Sequence, residues 1–307
     1  MNRREFLTAT GLLTATGVLG EEAMKAAESL SASGPGKAYK WEDLTVDGFA
    51  DAVKATDGVV LVPFGCLEKH GHHMPLGTDS FVACEVARRA AEKESAVVFP
   101  FSPFGMVGEV RHILGTMALS AETMRHVFED MCSEFARNGL KKIIIVNDHG
   151  GNTAFLQEFL RSRLERRRDY QVYSWFKWFR PKQWEAFSAK FGGKPPAVGH
   201  ACVVEASEML RIAPGKMRMD RVDPKEGESL DRNRPFAELG SQHPIDWYAN
   251  YPTQFAGDPR LATSELGEWL LNEFSDVLAS LIRLVKRSPL VPDLLNEYYD
   301  SAEHPHV

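Results

Sequence analysis

Lys142-Ile143-Ile144-Ile145-Val146-Asn147-Asp148-His149-Gly150-Gly151-Asn152 is the stretch on which the fold turns. Ile143 to Val146 is apolar without alternation, the pattern of a strand covered on both faces. It gives way at once to a short polar loop with two glycines. Helical spacing then follows over 153–167, with Phe155, Leu156, Phe159, Leu160 and Leu164 on one side. Strand, tight loop and helix in that order are half of a βαβ unit.

The same alternation runs outward in both directions. Upstream, Met124, Val127, Phe128, Met131, Cys132 and Phe135 have helical spacing. Ser120 can cap that helix, Glu122 sits in its first turn, and Asn138-Gly139 stops it. Val59-Val60-Leu61-Val62-Pro63 reads as a second buried strand, 81–94 as a helix, and Ala96-Val97-Val98-Phe99-Pro100 as a third strand. Downstream, 170–175 is a fourth. Leu266, Trp269, Leu270, Phe274, Val277, Leu278, Leu281 and Leu284 stripe one long helix that Thr263 or Ser264 can cap. There is no internal repeat. The pattern predicts an α/β fold, with a mainly parallel sheet flanked by helices in three layers. Ligands of such sheets bind beyond the carboxyl ends of the strands, which singles out the loops 64–79 and 147–152.

The chain has 307 residues, 44% hydrophobic and 25% charged, so collagen, coiled coil and wholesale disorder are excluded. With 36 Lys and Arg against 42 Asp and Glu, the net charge is −6, which argues against nucleic acid as the main partner. No apolar run reaches the roughly 18 residues of a membrane span, so the mature protein is expected to have none. Four scattered cysteines form no CxxC pair and read as buried small residues rather than disulfides. The N-terminus, Met1-Asn2-Arg3-Arg4-Glu5-Phe6-Leu7, is similar to a twin-arginine export signal. The expected organisation is a signal and linker over 1–36, a catalytic domain over 37–290 and a peripheral tail over 291–307. The expected location is periplasmic or secreted.

The loop Glu68-Lys69-His70-Gly71-His72-His73-Met74-Pro75-Leu76-Gly77-Thr78-Asp79 packs two carboxylates and three imidazoles into twelve residues. Both groups bind zinc, manganese or iron. Asn147 to Asn152 adds His149 at the end of the buried strand, with Gly150 and Gly151 allowing close approach of a ligand. A third segment, Gly199-His200-Ala201-Cys202-Val203-Val204-Glu205-Ala206-Ser207, again sets His beside Glu. Three such clusters, two at predicted strand ends, converge on a metal site.

The 68–79 loop resembles the E-x-H-G-x-H-x-P-L-G-T-D signature of the creatininase (creatinine amidohydrolase) family. The 147–152 loop resembles that family's N-G-H-G-G-N, and 199–207 its G-H-A-G-x-x-E-T-S. Gly257-Asp258-Pro259-Arg260-Leu261-Ala262-Thr263 resembles a stretch before its last helix, and Gly115-Thr116 its G-T turn. The match runs in order over roughly 58–286. The resemblance implies two divalent ions, zinc and/or manganese with iron as a third option. Glu68 and His149 would bind one ion, His70 the other, and Asp79 both. Where creatininases proper have a Glu two residues after the loop His, this chain has Gly151. Glu205 is then the substitute ligand, or alternatively a carboxylate orienting a ligand imidazole. The family also implies a homo-oligomer, often a hexamer.

The chemistry expected is hydrolysis of an amide C–N bond, cyclic or linear, by a hydroxide shared between the ions. His200 is the candidate donor of a proton to the leaving nitrogen, with Glu205 the other candidate catalytic group. Gly150 and Gly151 replace a larger aromatic–acidic pair at the substrate-facing loop, so creatinine itself is not implied. Of nine aromatics over 170–191, Trp175 and Trp178 are candidate walls for a small-molecule amide; the alternative is core packing. Rival readings are a peptide or formamide hydrolase, a secreted metal-binding protein without activity, and a two-metal phosphoesterase. Survival of Glu68, His70, Asp79 and His149 favours an enzyme, and the lack of a basic cluster beside the loops disfavours phosphate.

Overall fold

The computed structural model describes residues 35–305. The export-signal reading falls on residues outside that span. Five parallel strands form one sheet in the order β1-β3-β2-β4-β5: β1 Ala38–Lys40, β2 Val59–Phe64, β3 Ala96–Val98, β4 Lys142–Asn147 and β5 Gln171–Phe176. The sheet is wholly parallel, as unbroken apolar runs require when both faces are covered. The edge strand β1 and the helix α1 (Val46–Ala55), which Thr45 caps on Gly48 N, have no counterpart in the sequence reading.

Side-chain alternation sorts the core into two halves. Val59, Leu61, Ile144 and Val146 pack with α2 (Thr78–Lys93), α6 (Val203–Ile212) and α9 (Ser264–Arg287). Val60, Val62, Phe64, Ile143 and Ile145 pack with α1, α3 (Ala121–Arg137) and α4 (Asn152–Ser162). The result is three layers. Every side chain of β2 is buried, at roughly 1.5–3 kcal/mol for each large apolar one. Ser120 caps α3 on Thr123 N at 3.2 Å, and Thr263 caps α9 on Leu266 N at 3.1 Å.

Pro63 sits inside a central strand, where a missing N–H ordinarily breaks a ladder. Odd residues of β2 face β3, since Leu61 O accepts from Phe99 N. Pro63 lies past the last β2–β3 pair, Leu61↔Val98, so no ladder donor is lost. Past that pair the segment following β3 meets β2 once more, at the bridge Phe64↔Ser102, and the 65–77 loop leaves the carboxyl end of β2 beside it.

α5 (Pro181–Ala189) follows β5; α7 (Arg234–Ala237) and α8 (Asp246–Asn250) are short helices in the loop-rich stretch before α9. The tail is α10 (Leu290–Glu303), which buries none of its residues. Tyr299 Oη reaches the carbonyls of Arg163 and Arg166, both at 2.8 Å. Among the described residues, no helix is long and apolar enough to cross a membrane.

Candidate metal centre

The loop after β2 is held by its own backbone and by the far end of the chain. Glu68 N donates to Leu76 O at 3.0 Å, and Gly71 N to Gln254 O at 3.1 Å. Gly71 has φ +59, and a Cβ there would come within 2.6 Å of the His73 ring, so glycine is required twice over. The sequence reading kept Asp79 in the loop. It lies in the first turn of α2 instead, where the helix N-terminus favours a carboxylate. After β4, Asn147 and Asn152 clasp the loop: Asn152 Nδ2 donates to Asn147 Oδ1, and Asn147 Oδ1 also accepts from His149 N.

These segments bring Glu68, His70, Asp79, His149, His200 and Glu205 to one place, beyond the carboxyl ends of β2 and β4. Donor atoms of Cys66, Glu68, Asp79 and His149 all lie within 4.8 Å of one another; so do those of His70, Asp79 and Glu205, and of Glu68, His70 and His200. Asp79 spans the first two groups. Its Oδ1 is 2.9 Å from His70 Nε2, and its Oδ2 is 3.2 Å from His149 Nδ1. Glu68 Oε1 is 2.8 Å from His149 Nδ1 and 3.9 Å from His200 Nδ1. That oxygen is fully buried, and its contacts to the two imidazoles are ion pairs rather than well-aligned hydrogen bonds.

Each imidazole also has a backbone carbonyl on its other side. His70 Nδ1 faces Glu68 O at 3.2 Å, His149 Nε2 faces Met106 O at 3.1 Å, and His200 Nε2 faces Lys69 O at 2.9 Å. With the proton on that nitrogen, each ring donates to the carbonyl and turns its other lone pair toward the carboxylates. Histidines that ligate metals are oriented this way. The rings of His70 and His200 lie against each other, tilted by 35° with centroids 4.1 Å apart. His200 is set by a strained turn: Ala201 has φ +58, and its N–H donates to Glu205 Oε2 at 2.5 Å.

Without a cation the cluster is balanced by protons. Burial resists charge on His70, but the Asp79 carboxylate outweighs it and lifts the imidazole to about 10. Burial likewise resists charge on His149, and Cys66, Glu68 and Asp79 overcome it and hold the ring well above its ordinary range. For Asp79, burial pushes upward, yet His70 and His149 bring the carboxyl well below the usual value. Burial pushes the Cys66 thiol up, with Glu68 adding to the effect. Carboxylates around protonated imidazoles are a place where a divalent cation can replace protons.

Of the residues read as substrate walls, Gly150 is exposed with open space where a Cβ would be. Gly151 is packed: a Cβ there would sit 2.5 Å from His149 Nε2 and from Met106 O. Any larger residue at that position would displace His149 from its carbonyl. Trp175 is 4% exposed and belongs to the core, with the Arg180 guanidinium 5.2 Å over its ring, so packing rather than substrate contact accounts for it. Trp178 is half-buried just past β5, against Phe176 and Phe179. Lys69 points its Nζ to His72 at 3.2 Å, away from the carboxylates.

Three features were not read from the sequence. Cys66 joins the cluster, with its Sγ 3.0 Å from Asp79 Oδ2. Trp247 meets His200 edge-on at 5.9 Å and donates Nε1–H to Gln254 Oε1. Beneath the His149 loop, buried Lys177 lies 2.9 Å from Asp148 Oδ1 and 2.6 Å from Glu208 Oε2. The only signal in the sequence for this last group was Asp148 itself, where the resembling motif has glycine.

The creatininase family, described as creatinine amidohydrolase, matches residues 42–282. Creatinine amidohydrolase of Pseudomonas putida is 29% identical over 192 residues, 59% of this chain and 74% of that protein. The mycofactocin precursor peptide peptidase of Mycobacterium ulcerans is 26% identical over 235 residues, 73% of this chain and 84% of that one. Among solved structures, a point mutant of creatininase of Zn-Zn type superposes with a TM-score of 0.68 at 26% identity, covering 82% of this chain and 100% of that one. With a match across most of its length and a shared fold, this chain belongs to the creatininase family of amidohydrolases.

Proposed function

We propose that the protein is a dinuclear metal-dependent hydrolase of amide C–N bonds. The reading is carried by one observation: three imidazoles, each backed by a carbonyl, turn their other nitrogens toward the buried carboxylates of Glu68 and Asp79. Glu68, Asp79 and His149 would hold one divalent ion, and His70, Asp79 and Glu205 the other. Zinc or manganese suits this oxygen and nitrogen donor set. When bound, such ions activate water at neutral pH and polarise the amide carbonyl. His200, whose Nε2–H is engaged by Lys69 O, would accept on Nδ1 the proton released by the attacking water and pass it to the departing nitrogen. Glu205 accepts from Ala201 N and thereby fixes the turn that presents His200.

The substrate class is an amide small enough to enter beside Gly150, with Trp178 and Gly151 at the rim. The open space at Gly150 and the likeness to a peptide peptidase support a second reading, hydrolysis of a peptide or formamide C–N bond. Export by the twin-arginine route and assembly into a hexamer belong to the same proposal.

Elemental analysis of purified protein is expected to find close to two transition-metal ions per chain, and a screen of lactams, formamides and short peptides to find turnover. His149→Ala should lose metal and activity; His200→Ala should keep metal and lose turnover. Less than one ion per chain after reconstitution overturns the metal reading. Two ions without turnover on any of these substrates favours a binding protein.

A further inference from the structure

We propose that Cys66 is a metal ligand: its sulfur binds the ion held by Glu68, Asp79 and His149 and makes that position the zinc-selective half of the centre. This rests on the dinuclear reading above and adds to it a donor that the family motif does not name. Cys66 lies two residues past β2, with its side chain fully buried. Sγ is 3.0 Å from Asp79 Oδ2, and it shares the 4.8 Å donor group with Glu68 and His149. A tetrahedral ion with bonds of about 2.0–2.3 Å needs donors about 3.4 Å apart, so closing on a cation asks only for small movements. The second observation is independent of the thiol. Glu68 Oε1, in the same group, is fully buried and faces the imidazole nitrogens His149 Nδ1 at 2.8 Å and His200 Nδ1 at 3.9 Å, without a well-aligned hydrogen bond to either.

The surroundings hold sulfur in that position. A Cβ on Gly105 would lie 2.5 Å from Cys66 Cβ, so the backbone at Gly105 packs closely against it. Val107 and Val110 cover its outer side. Sulfur thus has apolar atoms behind it and oxygen and nitrogen donors before it. The other cysteines differ: Cys132 is on the buried face of α3, Cys202 faces a backbone carbonyl at 3.6 Å, and Cys84 is half-buried on α2. None of these three joins the described donor groups. Soft thiolate favours zinc, whereas the all-oxygen-and-nitrogen group of His70, Asp79 and Glu205 suits manganese as well. As the sulfur–metal bond forms, the S–H bond breaks and its proton passes to buffer.

The test uses the full chain loaded with cobalt(II) in place of zinc. A near-ultraviolet thiolate-to-cobalt charge-transfer band is expected in the wild-type protein. In C66S the band should vanish while the visible cobalt bands persist, and the preference for zinc over manganese at one ion position should fall by more than about tenfold. Two bound cobalt ions without the charge-transfer band overturn the sulfur ligand and leave the dinuclear reading standing. Failure to bind any ion overturns both.

Discussion

His73 stands three residues beyond His70 in the same loop and behaves in the opposite way. Burial pushes its imidazole down to about 4 against the bond to Ala201 O, and the neighbouring imidazoles of His70, His200 and His72 push the same way. Kept neutral, it donates Nε2–H to Ala201 O at 3.0 Å and so supports the turn that carries His200. An unfolded histidine titrates near 6.5. Between about 6.5 and 4 the unfolded chain therefore binds a proton that the folded one refuses, and stability falls as pH falls through that window. Denaturant midpoints measured across it should decline for wild type and decline less for His73→Gln, which keeps a donor to Ala201; equal slopes would show that His73 titrates unperturbed. At this scale the candidate ligands were legible because imidazole and carboxylate are rarely so dense by chance. Cys66 was not, because a buried thiol in a sequence is indistinguishable from a small apolar residue. Trp175 misled because aromatic size signals burial equally well in a core and in a pocket.

Between elements, the centre depends on a buried charge group that fixes strand ends to a helix. Lys177 follows β5, Asp148 follows β4, and Glu208 lies in α6. Burial disfavours the ammonium, but Asp148 and Glu208 together hold its pKa well above the usual lysine range. The same burial pushes Asp148 and Glu208 up. Removing the cation would leave two carboxylates buried without a partner. Lys177→Met is thus expected to cost roughly 3–5 kcal/mol and to loosen the loop bearing His149. Glu208→Gln, which leaves the Lys177–Asp148 pair, should cost less. Equilibrium urea unfolding of the two variants decides the order, and equal or inverted losses would remove the group from the framework. β2, β4, α3, α4 and α9 were readable from period and caps. β1 was not, because three residues carry no period. α6 was read only as a His and Glu cluster, since its chemistry masked its helical spacing.

Across the whole molecule, the candidate ligands reach the centre from segments far apart in the chain: 66–79, 149 and 200–205. In the unfolded chain they are dispersed, so a cation binds the native state far more tightly than the unfolded one. Binding of that kind is folding free energy. One ion present at a thousand times its dissociation constant adds about 4 kcal/mol. At roughly 2–4 °C per kcal/mol for a domain of this size, stripping it should lower the melting temperature by roughly 10 °C. The drop should grow with the logarithm of free metal in the reference sample. Protons oppose loading, because His70 and His149 hold theirs in the metal-free state and must release them. The stabilisation by a fixed zinc concentration should therefore shrink as pH is lowered. His149→Ala supplies the control, since its melting temperature should respond far less to chelator than that of the wild type. Calorimetry in matched chelated and zinc-loaded samples, with metal content measured on each, makes the comparison. A melting temperature unchanged after proven removal of the ions would mean that these distant segments are already locked together without them, and the centre would then contribute nothing to holding the fold.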